Sequence, residues 1–188
     1  MRRSEINTLV RSATAAFAAA GWTLPPDPHW DVTDFGLGDW RAFGLVLVNL
    51  ADEPEYCEKL MYARRGMVTP AHAHRVKKED IIARTGTLRV QLWADATLGG
   101  TGEVAVKING EARTLPSGAS VDLPSGHRIT LVPGVYHAFE PMTDECVVGE
   151  VSTANDDLND NFFVQLEIGR YATIDEDEPP LVRLLSDV

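Results

Sequence analysis

Two histidines, a lysine and a glutamate lie close together in the stretch GMVTPAHAHRVKKEDIIARTG, residues 66–86. His72 and His74 are separated by one residue, so on a β-strand their side chains would point to the same face. With Glu79 and a fourth ligand, this imidazole pair would form a mixed nitrogen–oxygen site suited to a divalent first-row metal. Taken alone, the HxH spacing favours a simpler interpretation, in which two surface histidines precede a solvated charge run, KKED.

Two motifs around these residues resemble those of the cupin superfamily. The first keeps the superfamily spacing at every position, through Gly66, His72, His74, Glu79 and Gly86. The second is GHRITLVPGVYHAF, in which His137 follows a Pro-Gly turn that lacks the usual residue between its proline and glycine. The resemblance implies four metal ligands, which are His72, His74, Glu79 and His137. Without cysteine, this set suits Mn2+ first, with Fe2+, Co2+ or Zn2+ as alternatives.

A β-rich domain would have to position these ligands. Residues 4–20 repeat apolar residues at helical spacing, with Ser4 as a candidate N-cap and Gly21 as a candidate C-cap. Short apolar or alternating runs follow at residues 43–48, 60–63, 88–92, 104–108, 128–132, 146–151 and 162–168. Asn109-Gly110 is a strong hairpin signal. We expect an all-β fold, a single cupin domain (a small β-barrel or jelly roll) with an N-terminal helix and a few short helices.

Length and composition are those of one ordinary domain, with 188 residues and 20.6 kDa. We expect a helix and arm over residues 1–40, a barrel over 41–170 and a tail over 171–188 whose LVRLL run packs back on the body. The 17 basic against 28 acidic residues give a net charge of −11, which disfavours nucleic acid and anionic membranes as partners. Two cysteines without CxxC spacing and no apolar run of membrane-spanning length predict a cytoplasmic protein.

Nearly the whole chain resembles the D-lyxose isomerase family of cupins. The blocks that carry this resemblance are RRSEINTLVRSATAAFAAAGWTLPPDPHW, WDVTDFGLGDWRAFGLVLVNL, HAHRVKKEDIIARTG, LVPGVYHAF and GEVSTANDDLNDNFF, in that order. The resemblance implies metal-dependent isomerisation of free sugars through a cis-enediol. The implied reactions are D-lyxose to D-xylulose and, as a companion, D-mannose to D-fructose. Cupins often pair through N-terminal segments and strand edges, so we also expect a homodimer.

The resemblance assigns further residues to the site. Lys77 would hydrogen-bond a substrate hydroxyl or the developing oxyanion, and Glu150, in the apolar stretch CVVGEVST, is the preferred base. Glu176, in the acidic run DEDE, is a further candidate for proton transfer. The implied substrate-binding residues are Arg84, Asp156, Asp157 and Asp160. Each has a structural alternative, because Glu150 could be buried against an arginine and the acidic segments could be solvated.

Three departures from the family pattern leave the ligands intact. Ala73 and Arg75 stand where the family usually has aromatic residues, Thr85 follows Arg84 in place of a glycine run, and Phe162 replaces a common arginine. Ala73 and Arg75 place the sugar preference in question. Two other functions fit a His3Glu cupin, namely an Fe2+-dependent dioxygenase, which would consume O2, and a non-catalytic sugar-binding cupin, which would need no proton shuttle.

Overall fold

The computed structural model describes residues 1–156, 159–168 and 173–187. Within these ranges the chain forms one α-helix and thirteen β-strands. The helix is α1 (Arg3–Ala19), and the strands are β1 (His29–Thr33), β2 (Leu45–Asp52), β3 (Tyr56–Arg64), β4 (Thr69–Ala73), β5 (Glu79–Ala83), β6 (Thr87–Trp93), β7 (Glu103–Ile108), β8 (Glu111–Pro116), β9 (Ser120–Pro124), β10 (Arg128–Leu131), β11 (Tyr136–Pro141), β12 (Glu145–Thr153) and β13 (Phe162–Phe163). The all-β class with an N-terminal helix is confirmed, whereas the described residues contain none of the additional short helices that we expected.

The strands form two antiparallel sheets that pack face to face. One has eight strands in the order β1-β2-β3-β12-β5-β10-β7-β8, and the other has five in the order β13-β4-β11-β6-β9. Because side chains alternate along a strand, each sheet contributes its inward-facing residues to one shared apolar core. Ile81, Leu88, Leu92, Leu123 and Ile129 are among its fully buried members. Several members of this core also line the cavity described below.

Helix α1 covers the outer face of β1, β2 and β3. Its buried apolar stripe recurs at helical spacing and consists of Ile6, Leu9, Val10, Ala13 and Phe17. The stripe packs in a second apolar cluster with Trp30, Val46, Val48, Leu60 and Tyr62. These three strands are therefore buried on both faces, and only their inward-facing residues reach the space between the sheets.

The start of α1 differs from the prediction, and its end agrees with it. Ser4 is not the N-cap, because Arg2 holds that position and donates its backbone N–H to the Glu5 carboxylate at 3.0 Å. The Ser4 hydroxyl instead donates to the carboxylate of Asp177 at 2.6 Å, which ties the helix to the tail. Gly21 follows the helix with a φ of +82°, as a C-terminal glycine should. The described part of the chain holds no helix long and apolar enough to cross a membrane.

The C-terminal tail packs back onto the body. The buried guanidinium of Arg3 contacts Glu176 at 2.6 Å and Asp187 at 2.8 Å. Leu184 is buried in the helix-covered cluster with Trp30, in agreement with the predicted docking of the LVRLL run. The tail thus holds the first turn of the helix rather than reaching between the sheets.

Six of the seven predicted runs fall on strands, namely β2, β3, β6, β7, β10 and β12, whereas β1, β5 and β9 lie outside all of them. Asn109 and Gly110 join β7 to β8 with φ values of +52° and +86°, which confirms the hairpin. The apolar run 162–168 is a strand only at Phe162–Phe163, where β13 pairs with β4. The pairing of β13 brings this segment beside the histidine pair.

Candidate metal centre and active-site cavity

A cavity of about 270 Å³ lies between the inner faces of the two sheets. Its polar lining residues are Asp31, Thr33, Lys59, Thr69, His72, His74, Lys77, Glu79, His137, Glu150 and Asn161. Aromatic and aliphatic side chains form the rest of its wall, among them Phe35, Met61, Phe139 and Phe163. The volume lies just below the range of about 300–1,000 Å³ that is typical of pockets for drug-sized ligands, so the cavity suits a small metabolite.

Three strand segments bring the proposed ligands together. His72 on β4 and His137 on β11 are directly opposite each other in the antiparallel register. His74 lies one residue beyond the end of β4, and the chain then turns so that Glu79 begins β5. The four residues, which lie up to 65 positions apart in the sequence, therefore meet at one point of the cavity wall.

All three histidines direct Nε2 towards the place in the cavity where they meet. The Nδ1 atoms of His72, His74 and His137 lie 2.8, 2.8 and 3.1 Å from the backbone carbonyls of Pro70, Asp160 and Val135. A carbonyl only accepts hydrogen bonds, so each Nδ1 carries the proton and each Nε2 keeps its lone pair. This second hydrogen bond fixes the tautomer and the ring orientation that a metal ligand requires.

The buried polar atoms fit a divalent metal. One ring nitrogen from each of His72, His74 and His137 lies within 4.8 Å of the other two. The Nε2 atoms of His74 and His137 and the Oε1 atom of Glu79 are buried without a hydrogen-bond partner. Glu79 lies close to both rings, with Oε1 3.0 Å from His137 Nε2 and Oε2 3.5 Å from His74 Nε2. Buried polar atoms without partners are rare, and a shared cation would satisfy all three.

Burial and charge give these residues the protonation states that metal binding needs. Burial lowers the pKa of His72 well below its usual value, and the neighbouring His137 and His74 lower it further. Burial also lowers the pKa of His74. Burial acts to raise the pKa of Glu79, but the Lys77 ammonium and the adjacent histidines outweigh it and hold that pKa well below its usual value. Neutral imidazoles and an ionised carboxylate are the forms that bind a metal.

A row of alternating charges continues along the wall beside the histidines. Lys77 Nζ lies 2.9 Å from Glu79 Oε2 and 3.0 Å from Glu150 Oε1. Lys59 Nζ lies 3.6 Å from the same Glu150 oxygen and donates a hydrogen bond to Asn155 at 2.8 Å. Burial acts to lower the pKa of Lys77, but the two carboxylates outweigh it and raise the pKa, so Lys77 stays charged. Glu150 is thus a buried carboxylate between two cations.

Lys59 is a candidate site residue that the sequence analysis missed. It lies directly opposite Glu150 in the register of β3 and β12. Strand alternation turns Lys59 and Met61 towards the cavity while Leu60 and Tyr62 face the helix. A lysine within the apolar run KLMYA was the available signal, because a lysine is almost never fully buried unless it is paired.

The acidic residues after β12 lie in different surroundings. Asp160 is buried but does not line the cavity, and its carboxylate accepts backbone hydrogen bonds from Arg75, Val76 and Lys77. Asp156 is exposed and accepts hydrogen bonds from Asn159. Asp157 lies outside the described residues. Asn161 does line the cavity, and its buried amide oxygen has no hydrogen-bond partner there.

Arg84 and Glu176 are not brought to the cavity. Arg84 follows β5 on the face opposite to Glu79 and Ile81, so strand alternation turns it outward, where its guanidinium lies 5.4 Å from the ring of Trp22. Glu176 lies in the tail, more than half exposed, and pairs with Arg3. Neither residue lines the cavity wall.

Ala73 and Arg75, which depart from the family pattern, also lie outside the cavity wall. Ala73 is paired with Phe162 of β13, and the Arg75 guanidinium lies 4.0 Å from the centre of the Phe162 ring. The next residue, Phe163, does line the cavity, with its ring 5.2 Å from that of His72. These substitutions can thus affect the cavity indirectly, for example through the β13 segment.

Comparison with a family model and with known sequences identifies the same group of proteins in each case. The family described as D-lyxose isomerase matches residues 27–188. A D-lyxose/D-mannose isomerase of Serratia proteamaculans is 36% identical, over 96% of this chain and 94% of the relative. A D-lyxose/D-mannose isomerase of Escherichia coli O157:H7 is 40% identical, over 84% of this chain and 75% of the relative. These matches span most of both partners in each comparison.

Comparison with solved structures concerns the fold. An X-ray structure of Cellulomonas parahominis L-ribose isomerase with L-ribose superposes with a TM-score of 0.72. The match covers 93% of this chain and 98% of that chain, at 22% sequence identity. At this identity the likeness shows a shared architecture, the two-sheet fold with an N-terminal helix, and confirms the predicted fold class.

Proposed function

The chain belongs to the D-lyxose isomerase family, and on that premise we propose that it interconverts D-lyxose and D-xylulose, and D-mannose and D-fructose, with the help of a divalent metal. Sugar isomerisation follows from the family itself. The choice of sugars and the dependence on a metal are our proposal. We also propose Mn2+ as the metal and a homodimer as the assembly.

One observation carries this proposal. In a single cavity, three imidazoles and Glu79 converge directly beside the ion pair of Lys77 and Glu150, and His74 Nε2, His137 Nε2 and Glu79 Oε1 have no hydrogen-bond partner. A metal held by His72, His74, Glu79 and His137 would act as a Lewis acid towards the carbonyl and hydroxyl oxygens of the sugar. A proton shuttle within reach of the same sugar is the second requirement of aldose–ketose isomerisation.

Side chains of the protein would transfer the protons and stabilise the developing charge. We assign Glu150 as the base that removes the proton from C2 of the aldose and returns it to C1, while a proton moves from O2 to O1. The Lys77 ammonium would donate a hydrogen bond to the oxygen on which negative charge develops in the cis-enediol. The amide of Asn161 offers a hydrogen-bonding group for a sugar hydroxyl.

The charges of the cavity wall support a neutral sugar over a sugar phosphate. Among the residues that the structure describes, two lysines line the cavity, Lys59 and Lys77, and each contacts a carboxylate. A phosphate would need cations or backbone N–H groups that can turn towards it. The volume of about 270 Å³ also suits a single free monosaccharide.

A sugar panel tests the proposal. Purified protein loaded with Mn2+ would be given free pentoses and hexoses under anaerobic conditions, and ketose would be measured by chromatography. We expect D-lyxose and D-mannose to be converted, and chelation followed by Mn2+ addition to abolish and restore the activity. Failure to isomerise any aldose would refute the proposal. Activity that required O2 would favour a dioxygenase instead, and binding of sugar without conversion would favour a sugar-binding protein.

A further inference from the structure

The turn between β4 and β5, which crosses from one sheet to the other, is built around a buried carboxylate. Successive backbone N–H groups of Arg75, Val76 and Lys77 each donate to the side chain of Asp160 at 2.8 Å. Two of these bonds reach Oδ1 and the third reaches Oδ2. Three consecutive N–H groups that converge on one anion form a concave anion-binding nest, so the turn takes its shape from the carboxylate that it encloses.

The same residue also contacts a candidate metal ligand. The backbone carbonyl of Asp160 accepts the hydrogen bond from Nδ1 of His74 at 2.8 Å. Asp160 is only 8% exposed, and it lies outside the cavity wall. It therefore holds the ring of His74 through its main chain and the following turn through its side chain.

Neighbouring contacts hold the segment that follows Asp160 against β4. Phe162 and Phe163 of β13 pair with Ala73 and His72 of β4. The backbone N–H of Val164 donates to the carbonyl of Ala71 at 3.0 Å. The segment 160–164 is thus joined to β4. Because this segment is held in place, the carboxylate of Asp160 has a fixed position beside the turn.

We infer that Asp160 is a positioning residue for the metal centre, because it sets the turn that joins His74 to Glu79 and orients the His74 ring. This inference rests on the proposed metal-dependent function. His74 and Glu79 flank a turn of four residues, so the geometry of the turn determines where the two ligands lie relative to each other. Asp160 does not contact the substrate in this role, which differs from the substrate-binding role that family resemblance implied.

Measurement of metal affinity tests the inference. Asp160→Asn keeps the size of the side chain but cannot accept all three hydrogen bonds and carries no charge. We expect the dissociation constant for Mn2+, measured by titration calorimetry, to rise by about 10–100-fold, the usual range for changes behind the ligands of a metal site, because the turn that leads from His74 to Glu79 loses the carboxylate that shapes it. The visible absorption spectrum of the Co2+-loaded variant should also change, since it reports ligand geometry.

Two controls separate positioning from a general effect. Asp144→Asn removes an exposed carboxylate outside the site and should leave Mn2+ affinity within about twofold of wild type, because its charge is screened by solvent. Val76→Pro removes one N–H donor of the nest and should weaken Mn2+ binding, while Val76→Ala keeps that donor and should not. Val76 is 76% exposed, so its side chain contributes little packing.

The outcomes are distinguishable. If Asp160→Asn lowers the melting temperature of the metal-free protein but binds Mn2+ and Co2+ like wild type, Asp160 is merely structural and the inference is wrong. If Asp160→Asn does not fold, Val76→Pro decides, and wild-type metal binding by that variant contradicts the inference. If the wild-type protein itself binds no metal, the proposed metal centre fails first.

Discussion

The two faces of strand β3 are equally buried, but their surroundings differ. On the outer face, Leu60 and Tyr62 pack under helix α1, and the Tyr62 hydroxyl donates to Glu145 at 2.8 Å. On the inner face, Lys59 and Met61 line the cavity, in which His74, His137 and Glu79 keep buried polar atoms without hydrogen-bond partners. Burial therefore does not distinguish structure from function here. The convergence of unsatisfied polar atoms on one point does, because single ones, such as Arg84 Nε and Ser152 Oγ, also occur away from the cavity.

The largest effect on activity should come from a substitution in the cavity. His74→Ala should abolish isomerase activity and bound metal together, because the metal contributes several kcal/mol of transition-state stabilisation. The metal-free melting temperature should fall modestly, since the substitution also removes the hydrogen bond from His74 Nδ1 to the carbonyl of Asp160. Mass spectrometry would measure the bound metal, and the rate of ketose formation would measure the activity. An active variant with metal bound would show that His74 is not a ligand.

Glu150→Gln should separate chemistry from metal binding. We expect kcat to fall by about 10²–10⁴-fold, the usual contribution of a general base, while Mn2+ remains bound. Glu145→Gln is the matched control, because Glu145 begins the same strand, β12, but contacts Tyr62 on the outer side. Steady-state kinetics with D-lyxose would measure both. Equal kcat values for the two variants would remove Glu150 from the mechanism.

A change in the outer cluster should affect stability alone. Phe17→Ala empties the centre of the helix-covered layer, where Phe17 is fully buried beside Trp30. The free energy of unfolding should fall by about 3–5 kcal/mol, as measured by chemical denaturation. Well below the melting temperature, kcat and Mn2+ affinity should stay at wild-type values. A loss of metal affinity would mean that the two faces are coupled through β3.

The smallest effect should come from Glu176. The hydrogen bond from Arg3 holds the pKa of Glu176 below its usual value. A lowered pKa in the folded state stabilises the protein above the unfolded pKa of about 4.3, and this contribution disappears as the pH falls through the folded value. Glu176→Gln should therefore melt slightly earlier than wild type near pH 7, and the difference should vanish in acid. Its kcat should be unchanged, whereas a lower kcat would restore Glu176 to the proton shuttle.

The sequence was most informative where function is encoded in local spacing. The histidine pair, Glu79 and His137 were predicted as ligands from the spacing of two separate motifs, and the structure places all four on the wall of one cavity. The all-β class followed from short alternating runs, and the tight hairpin followed from Asn109-Gly110. These features depend on neighbours in the chain.

Other features depend on contacts between distant segments, which spacing does not encode. Lys59 meets Glu150 only through the register of β3 and β12. Asp160 lies in a polar segment that is typical of a solvated loop, and its partners are backbone N–H groups, which no residue type reveals. Arg84 was assigned to the site by resemblance, yet its parity on β5 turns it outward. Register and parity are set by the assembled sheets.

The two-faced burial of β3 also bears on how this protein could be altered. Substitutions on one face leave the other face in place, so stability and substrate range can be screened in separate libraries. Insertion of one residue before Lys59 would instead exchange the faces, sending the lysine towards the helix and an apolar side chain into the cavity. The length of β3 should therefore tolerate less change than its composition, and the turn at Asn109-Gly110 is the better place to insert residues.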